Sequence, residues 1–463
     1  MTATKTIILA TAGLTLLAGA CSEVTVPNYN SPSLEQLTTN PTVGTVNTAI
    51  VGLTINLRGR VGTEASAMGI LGKESYNLDQ AEPRNVLSYL QGPIEPGGFV
   101  QDLSWTTGYR NLRQGATILE AVEKVAEYSA PQKEAIRGFV KTIMAMELLT
   151  QVRIRDTVGI MVEISANPSA ALGPIVGKDA ALARIAALFD EAKTHLQAGG
   201  TAFPFSLHSG FTGFNTPATF LQFNRAMKAR TEVYRKQWTS ALSALSESFI
   251  DATTTTAAAL ARGPAHVYST TSGDAINPLF DPTPATLYVH PSVLSGAQNR
   301  ANGQPDLRLT SKTSAGLTRV VQQVQGTHRF TIYSSNTASI PIIKNEELIL
   351  LRAEARYQSG DAAGALADIN FVRVNSGGLA PLTGFANANA FVDELLYNRL
   401  YSLLFEGGHR WVDARRYGRL SQLPRLNTAI SEKTFPWVMF PVDECNQRVP
   451  APQPGCSQVA AVP

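Results

Sequence analysis

Apolar residues recur at three- and four-residue steps through two long stretches of the chain, and that spacing predicts helices in pairs. Leu112 to Tyr128 carries Leu112, Ala116, Leu119 and Val122 on one face; Pro131 to Val152 carries Ile136, Val140 and Ile143, with Ser129-Ala130 between the two. Pro131 suits the first turn of the second helix, where no backbone donor is lost. A second pair is predicted over Ala180 to Ala198 and Ala218 to Tyr234, followed by Gln237 to Ile250, in which Trp238, Ala241, Leu242, Leu245 and Phe249 keep the step. The third pair is the most regular. Asn345 to Gln358 is amphipathic through Leu348, Leu351 and Ala355, Ser359-Gly360-Asp361 forms a turn with Asp361 as N-cap, and Ala362, Ala365, Leu366, Ile369 and Arg373 continue on the next helix.

Between these blocks the pattern breaks. Ala252 to Lys344 is rich in Thr, Ser, Pro, Gly and Asn, with short candidate strands at Val320 to Val324 and Arg329 to Tyr333. Loops of this length in a compact chain are usually functional or disordered. The interspersed Tyr268, Phe280, Tyr288, Phe330 and Tyr333 favour ordered loops with a binding face, and Gly200 to Asn215, with four phenylalanines, also favours order. The expected fold is therefore mainly α, a helical stack over about 105–250 and 345–418 with a loop-rich, partly β subdomain over about 252–344. Tyr357-x-x-Gly360-Asp361-x-x-x-Ala365-Leu366 resembles the inter-helix turn of a tetratricopeptide repeat, and Tyr234-x-x-x-Trp238-x-x-Ala241 is a looser relative. Any helical hairpin with alanine-rich faces shares part of that pattern.

The N-terminus reads as an address. Lys5 precedes an apolar run from Ile7 to Ala20, too short to span a bilayer, which ends in small residues directly before Cys21. Leu17-Ala18-Gly19-Ala20-Cys21 resembles a bacterial lipobox, in which the cysteine thiol is acylated; an ordinary signal peptide with an incidental cysteine is the other reading. Residues 1–20 would then be the leader and 21–33, polar with two prolines, a tether between membrane and body. Composition narrows the rest. A net charge of +3 over 463 residues argues against a nucleic-acid binder, and 3 cysteines exclude a disulfide-built scaffold. Cys445 and Cys456 lie eleven apart in a Pro-rich tail, where a disulfide and two free thiols are both open.

The C-terminal block Asp393 to Gly418, DELLYNRLYSLLFEGGHRWVDARRYG, sets Leu396, Leu400, Leu403 and Leu404 on one helical stripe that ends at Gly407-Gly408. Glu406, Arg410, Asp413 and Arg416 then alternate in sign at three- and four-residue spacing, so they can pair on one helical face and fix the C-terminal helix onto the stack. The block resembles the signature of the RagB/SusD family of bacterial outer-membrane lipoproteins, through Arg399, Phe405-Glu406-Gly407, Arg410-Trp411, Asp413, Arg416 and Gly418. Asn398 and Ser402 depart from it, standing where the family often has glutamates. Weaker matches lie at Glu346-Glu347, Asp368-Ile369-Asn370-x-x-Arg373, Asp306-x-Arg308 and Phe440-Pro441-Val442.

The resemblance implies a single domain over 34–463, anchored at the outer membrane through Cys21 and exposed at the cell surface. It implies a protein that captures a nutrient, an oligosaccharide above all, and hands it to a SusC-like TonB-dependent transporter, with no cofactor and no catalysis. A lipid-anchored glycan hydrolase and a structural repeat scaffold are the alternatives. The residues support the first: no nucleophile elbow, zinc motif or phosphate loop occurs, and the six histidines never fall at metal-ligand spacing. Glu346-Glu347 and Asp443-Glu444 read as solvated pairs, because adjacent carboxylates do not flank a scissile bond. Sugars are gripped by aromatic rings with a few orienting polar groups. The candidate rings are Trp105, with core as its competing role, and Tyr268, Tyr288 and Tyr333 in the irregular region.

Overall fold

The computed structural model describes residues 34–463, so the leader, the Cys21 anchor and the tether lie outside the described residues. After a single helical turn over Leu34–Thr38, the described residues continue with two helices, α1 (Val43–Arg58) and α2 (Val61–Leu71), and the short strand β1 (Ser75–Asn77). The sequence pattern had marked none of them, since α2 (VGTEASAMGIL) is almost uniformly small or apolar and has no polar face to betray its period. α3 (Trp105–Lys124) and α4 (Ala130–Arg155) form the first antiparallel pair; α3 begins seven residues before the predicted start at Leu112. Ser129 caps α4 reciprocally with Gln132, and Pro131 sits in the first turn.

α5 (Lys178–Ala198), α6 (Pro217–Tyr234) and α7 (Trp238–Ser246) follow, and each helix from α3 to α7 packs on its neighbour in the chain. α8 (Asn345–Gln358) then docks on α6 and α7 and carries α9 (Ala362–Asn375) and α10 (Ala388–Ser402). Asp361 caps α9 by accepting from the Gly364 amide at 2.8 Å, as its position predicted. The phenylalanine-rich segment is core: Phe203, Phe205 and Phe211 pack with Phe139 and Phe220 of α4 and α6 at ring separations of 4.9 to 5.9 Å. The helix expected to end at Gly407-Gly408 stops earlier, at Ser402, and α11 (His409–Arg416) starts beyond the two glycines.

The irregular region supplies β2 (Leu287–Val289), β3 (Thr313–Val321) and β4 (Val324–Phe330), which join β1 in an antiparallel sheet of order β1-β2-β4-β3. The predicted strand at Val320 to Val324 is a hairpin turn instead, with Gln322 and Gln323 at φ 48° and 65°. Both flanking strands are longer than the sequence suggested because β-branched and polar residues alternate there without an apolar stripe. The register pairs Ser75 with Val289, Tyr76 with Tyr288 and Asn77 with Leu287, so the N-terminal segment and the loop-rich region share one sheet.

Candidate functional site

The signature residues hold the segment that leads into β1. Gly407 and Gly408 take φ 116° and 69°, and a side chain at 408 would collide with Met68 of α2. The turn so formed aims two backbone amides at the Glu74 carboxylate: Phe405 donates at 3.0 Å and Arg410 at 2.9 Å. Burial pushes the Glu74 carboxyl up to about 7. The Arg410 side chain donates to the Lys73 carbonyl at 2.5 Å, and Lys73 pairs with Glu432 at 2.7 Å, wholly buried. Phe405 stacks on Phe330, the last residue of β4, at 4.0 Å between centroids.

The remaining signature charges tie helices together. Arg399 meets Asp413 at 2.6 Å, Asp413 also takes Arg416 at 2.9 Å, and Arg416 pairs with Glu354 of α8. Glu406 lies ahead of α11 and receives Lys344 at 2.8 Å and Lys312 at 3.1 Å; burial pulls Lys312 down to about 8. The expected ladder on one helical face is thus confined to Asp413–Arg416, because the turn at 407–408 separates Glu406 from the helix. Trp411 is fully buried and donates to the Phe435 carbonyl at 2.8 Å. Asn398 and Ser402 both accept from Arg308 at 3.0 Å, and Arg308 is held at 2.6 Å by Asp306. These contacts pair the charges of the block inside the protein, while the two terminal nitrogens of Arg399 make no hydrogen bond among the described residues.

A cleft with the opposite character opens beside β1. It has a volume of about 290 Å³ between α2, the helical turns at 84–91 and the loop 278–287. Thr63, Ser66, Asn85 and the Tyr89 hydroxyl line it and make no side-chain hydrogen bond among the described residues; the Asn77 amide nitrogen is likewise unpaired there while its oxygen accepts from the Asp79 amide at 3.2 Å. Phe280, half-buried, and the Tyr89 ring supply apolar surface, and Tyr89 meets the 39 % exposed Phe99 edge-on at 6.1 Å. Asp281 is the one carboxylate in the lining, and it is occupied in holding its own loop, accepting from the Thr286 and Leu287 amides at 2.7 and 2.6 Å. The loop approaches α2 closely at Gly62, where an added Cβ would lie 2.7 Å from Pro278. Unpaired neutral donors and acceptors beside aromatic rings can grip a neutral, hydroxyl-rich ligand and offer no charged group for acid–base work.

The four rings expected to bind are placed elsewhere. Trp105, Tyr268, Tyr288 and Tyr333 are 4 %, 7 %, 2 % and 6 % exposed, and none lines the cleft beside β1; Trp105 borders a separate cavity of about 380 Å³ with Tyr109 and Arg110. Trp105 is wedged between Tyr109 and Phe440 at 4.3 and 5.0 Å and donates to Glu444 at 3.3 Å, which is the core role set against it above. Tyr288 lies against Gly326, which has no side chain to keep it off, and donates to the Leu317 carbonyl at 2.7 Å. Tyr268 and Tyr333 pack in the cluster that Phe330 and Phe405 share. Of the loop aromatics only Phe280 reaches the cleft; Asn77, Asn85 and Tyr89 sit in a stretch with no motif to flag them.

Glu346 and Glu347 are not a solvated pair but buried, Glu347 on Arg230 at 2.5 Å and Glu346 accepting from Ser402 at 2.6 Å. Cys445 and Cys456 are bridged, with 5.7 Å between their Cα atoms. Among the described residues, no group of three or more His, Cys, Asp or Glu is placed to hold a metal ion, and no helix is long and apolar enough to cross a membrane.

Residues 294–447 match the SusD family. No curated protein matches the chain. Among solved structures, Bacteroides fragilis NanU superposes with a TM-score of 0.64 at 13 % identity over 94 % of this chain and 99 % of its own. A SusD-like carbohydrate binding protein from Bacteroides fragilis gives 0.65 at 13 % identity, covering 92 % and 95 %. A SusD superfamily protein from Bacteroides vulgatus gives 0.63 at 14 % identity, covering 82 % and 89 %. The family match thus spans the signature block and its helical neighbours, and the fold is shared with these structures over most of the described length.

Proposed function

We propose that this protein captures an oligosaccharide at the cell surface in the cleft beside β1 and passes it, unaltered, to a SusC-like TonB-dependent transporter. One observation carries the reading: five neutral side chains with unused hydrogen-bonding capacity, Thr63, Ser66, Asn77, Asn85 and Tyr89, converge on one cleft with the Phe280 ring. Half-buried polar groups without a protein partner, set beside aromatic surface, can exchange their water for the hydroxyls of a bound sugar. The carbohydrate-binding description of the Bacteroides fragilis neighbour points the same way. Acylation at Cys21 would tether the body, through residues 22–33, to the outer membrane, several acyl chains on one residue giving stable anchoring.

The test is a glycan-array screen of protein lacking residues 1–21, followed by calorimetry and product analysis on any sugar retained. Binding without turnover is expected. Products released by the pure protein would overturn the reading in favour of a hydrolase, and so would the absence of binding to any glycan. A Cys21→Ala variant is expected to leave the membrane fraction.

A further inference from the structure

A second cavity, of about 490 Å³, opens where the first turn of α5, the α6–α7 turn and the end of α11 meet. Its chemistry is the reverse of the cleft's. Lys178, Arg235, Lys236, Arg415 and Arg416 line it against a single carboxylate, Asp179. Carboxylates behind the wall hold several of these cations in place: Asp156 takes Lys178 at 2.7 Å and Arg415 at 3.0 Å, and Glu232 takes Arg235 at 2.8 Å. Donors remain over. Arg235 reaches Glu232 through Nη1 alone, leaving Nε and Nη2 unpaired. Arg416, only 7 % exposed, gives its terminal nitrogens to Asp413 and Glu354 and keeps Nε without a partner. Tyr234, buried under the Arg416 guanidinium at 4.8 Å, lines the inner wall, and its hydroxyl makes no hydrogen bond. Both α5 and α7 start without a side-chain cap, so their first-turn amides are free and add positive potential at the rim.

The placement of Lys236 is the independent sign that this is a built feature. It takes φ 59° directly before Gln237, the residue that starts α7. The corresponding place in the α8–α9 turn, directly before the Asp361 cap, is Gly360 at φ 92°. The same turn within the same protein therefore uses glycine where nothing but geometry is required. A lysine kept in the left-handed region bears strain that glycine would not, and its ammonium, with no ion partner, lines the cavity.

We propose that this cavity binds a phosphate or sulfate monoester group. Guanidinium forks, an ammonium and free backbone amides are the donor set such an oxyanion calls for, and the volume leaves room for the organic body it is attached to. The site stands apart from the glycan cleft and does not depend on it. The source of the group is either a soluble sugar ester or a lipid head group.

The experiment titrates the full chain at fixed ionic strength with inorganic phosphate, glucose 6-phosphate and dihexanoyl phosphatidic acid below its micelle concentration, read by calorimetry. Saturable binding of phosphate is expected, weakened at least tenfold by Lys236→Gly combined with Arg235→Gln. Lys236→Gly relieves the strained φ, so that single variant should melt no lower than the parent and should itself bind phosphate more weakly; a melt of the double variant separates lost binding from the loss of the Arg235–Glu232 pair. Tighter binding of glucose 6-phosphate supports the site with a soluble source, and tighter binding of the lipid supports it with a membrane source. No saturable binding of any probe, or binding that survives the double substitution, overturns it. A protein that fails to bind phosphate yet still retains a glycan would leave the cleft reading intact.

Discussion

The signature block around α11 and the cleft between α2 and the 278–287 loop are joined by one short segment, residues 73–77, and they are built by contrary rules. In the block the charged side chains are buried and paired: Arg399 with Asp413, Arg416 with Glu354, Glu406 with two lysines. In the cleft the groups that count are neutral, partly exposed and unpaired. A buried charge left alone is prohibitively unfavourable, so each of these signature charges takes a partner inside the protein, and none of them lines the glycan cleft. A recognition surface needs the reverse, capacity that folding leaves unused. The part of the chain most easily matched to a family is for that reason the part that positions, and the part that binds carries no motif.

That contrast can be broken at three places, in falling order of effect. Arg399→Ala leaves Asp413 buried, with Arg416 as its one remaining partner, and removal of one member of a buried pair costs about 3–5 kcal/mol. The variant should unfold at markedly lower denaturant, while any folded fraction keeps the parent's glycan affinity. Affinity lost in excess of the unfolded fraction would mean that the block touches ligand.

Acid should come next. Burial holds His266 at about 3 and keeps His290 and His409 well below the ordinary histidine value, so the unfolded chain binds protons there that the folded chain does not. Each such histidine contributes stability that is present above about pH 6.5 and is lost as pH falls, at roughly 1.4 kcal/mol per unit. Glu74, raised to about 7, works against one of the three, because its folded form keeps a proton that the unfolded chain sheds between about 4.5 and 7. His208 is lowered as well and Glu147 raised, so four histidines stand against two carboxylates; unfolding takes up protons on balance and stability falls as pH drops from 6.5 to 5. Denaturant midpoints at pH 7, 6 and 5 measure it, and a flat profile would contradict the burial of these histidines.

The smallest effect on stability should fall in the cleft. Asn85→Ala removes a side chain with no internal partner, so the denaturant midpoint should move by no more than about 0.5 kcal/mol. Glycan affinity should nevertheless fall about tenfold, about 1.4 kcal/mol. A loss of stability with affinity unchanged would reverse the roles given to cleft and block.

Legibility followed the same divide. Helices α5, α8 and α9 were readable almost to the residue, because three- and four-residue apolar steps and a capping aspartate are local signals. The signature was readable as a block whose charges serve packing, but its partners were not: Glu74, Lys312, Lys344 and Glu354 lie 62 to 336 residues away in sequence from the groups they meet. The tyrosines of the irregular region show how that limit misleads. A tyrosine among Ser, Thr and Gly has the same look whether it faces water or, as with Tyr288, lies against a glycine on the neighbouring strand.

What the sequence alone determined is the helical stack, the turn at 359–361 and the family block, all of them patterns closed within a few helical turns. The tertiary structure alone decided the sheet that joins residues 75–77 to 287–289, the burial of the four candidate rings and the meeting of Asn77, Asn85 and Phe280 in one cleft. The reason is physical: periodicity reports which face of a segment avoids water, whereas a binding site consists of groups left unpaired, and whether a group is left unpaired depends on every other segment that could have reached it.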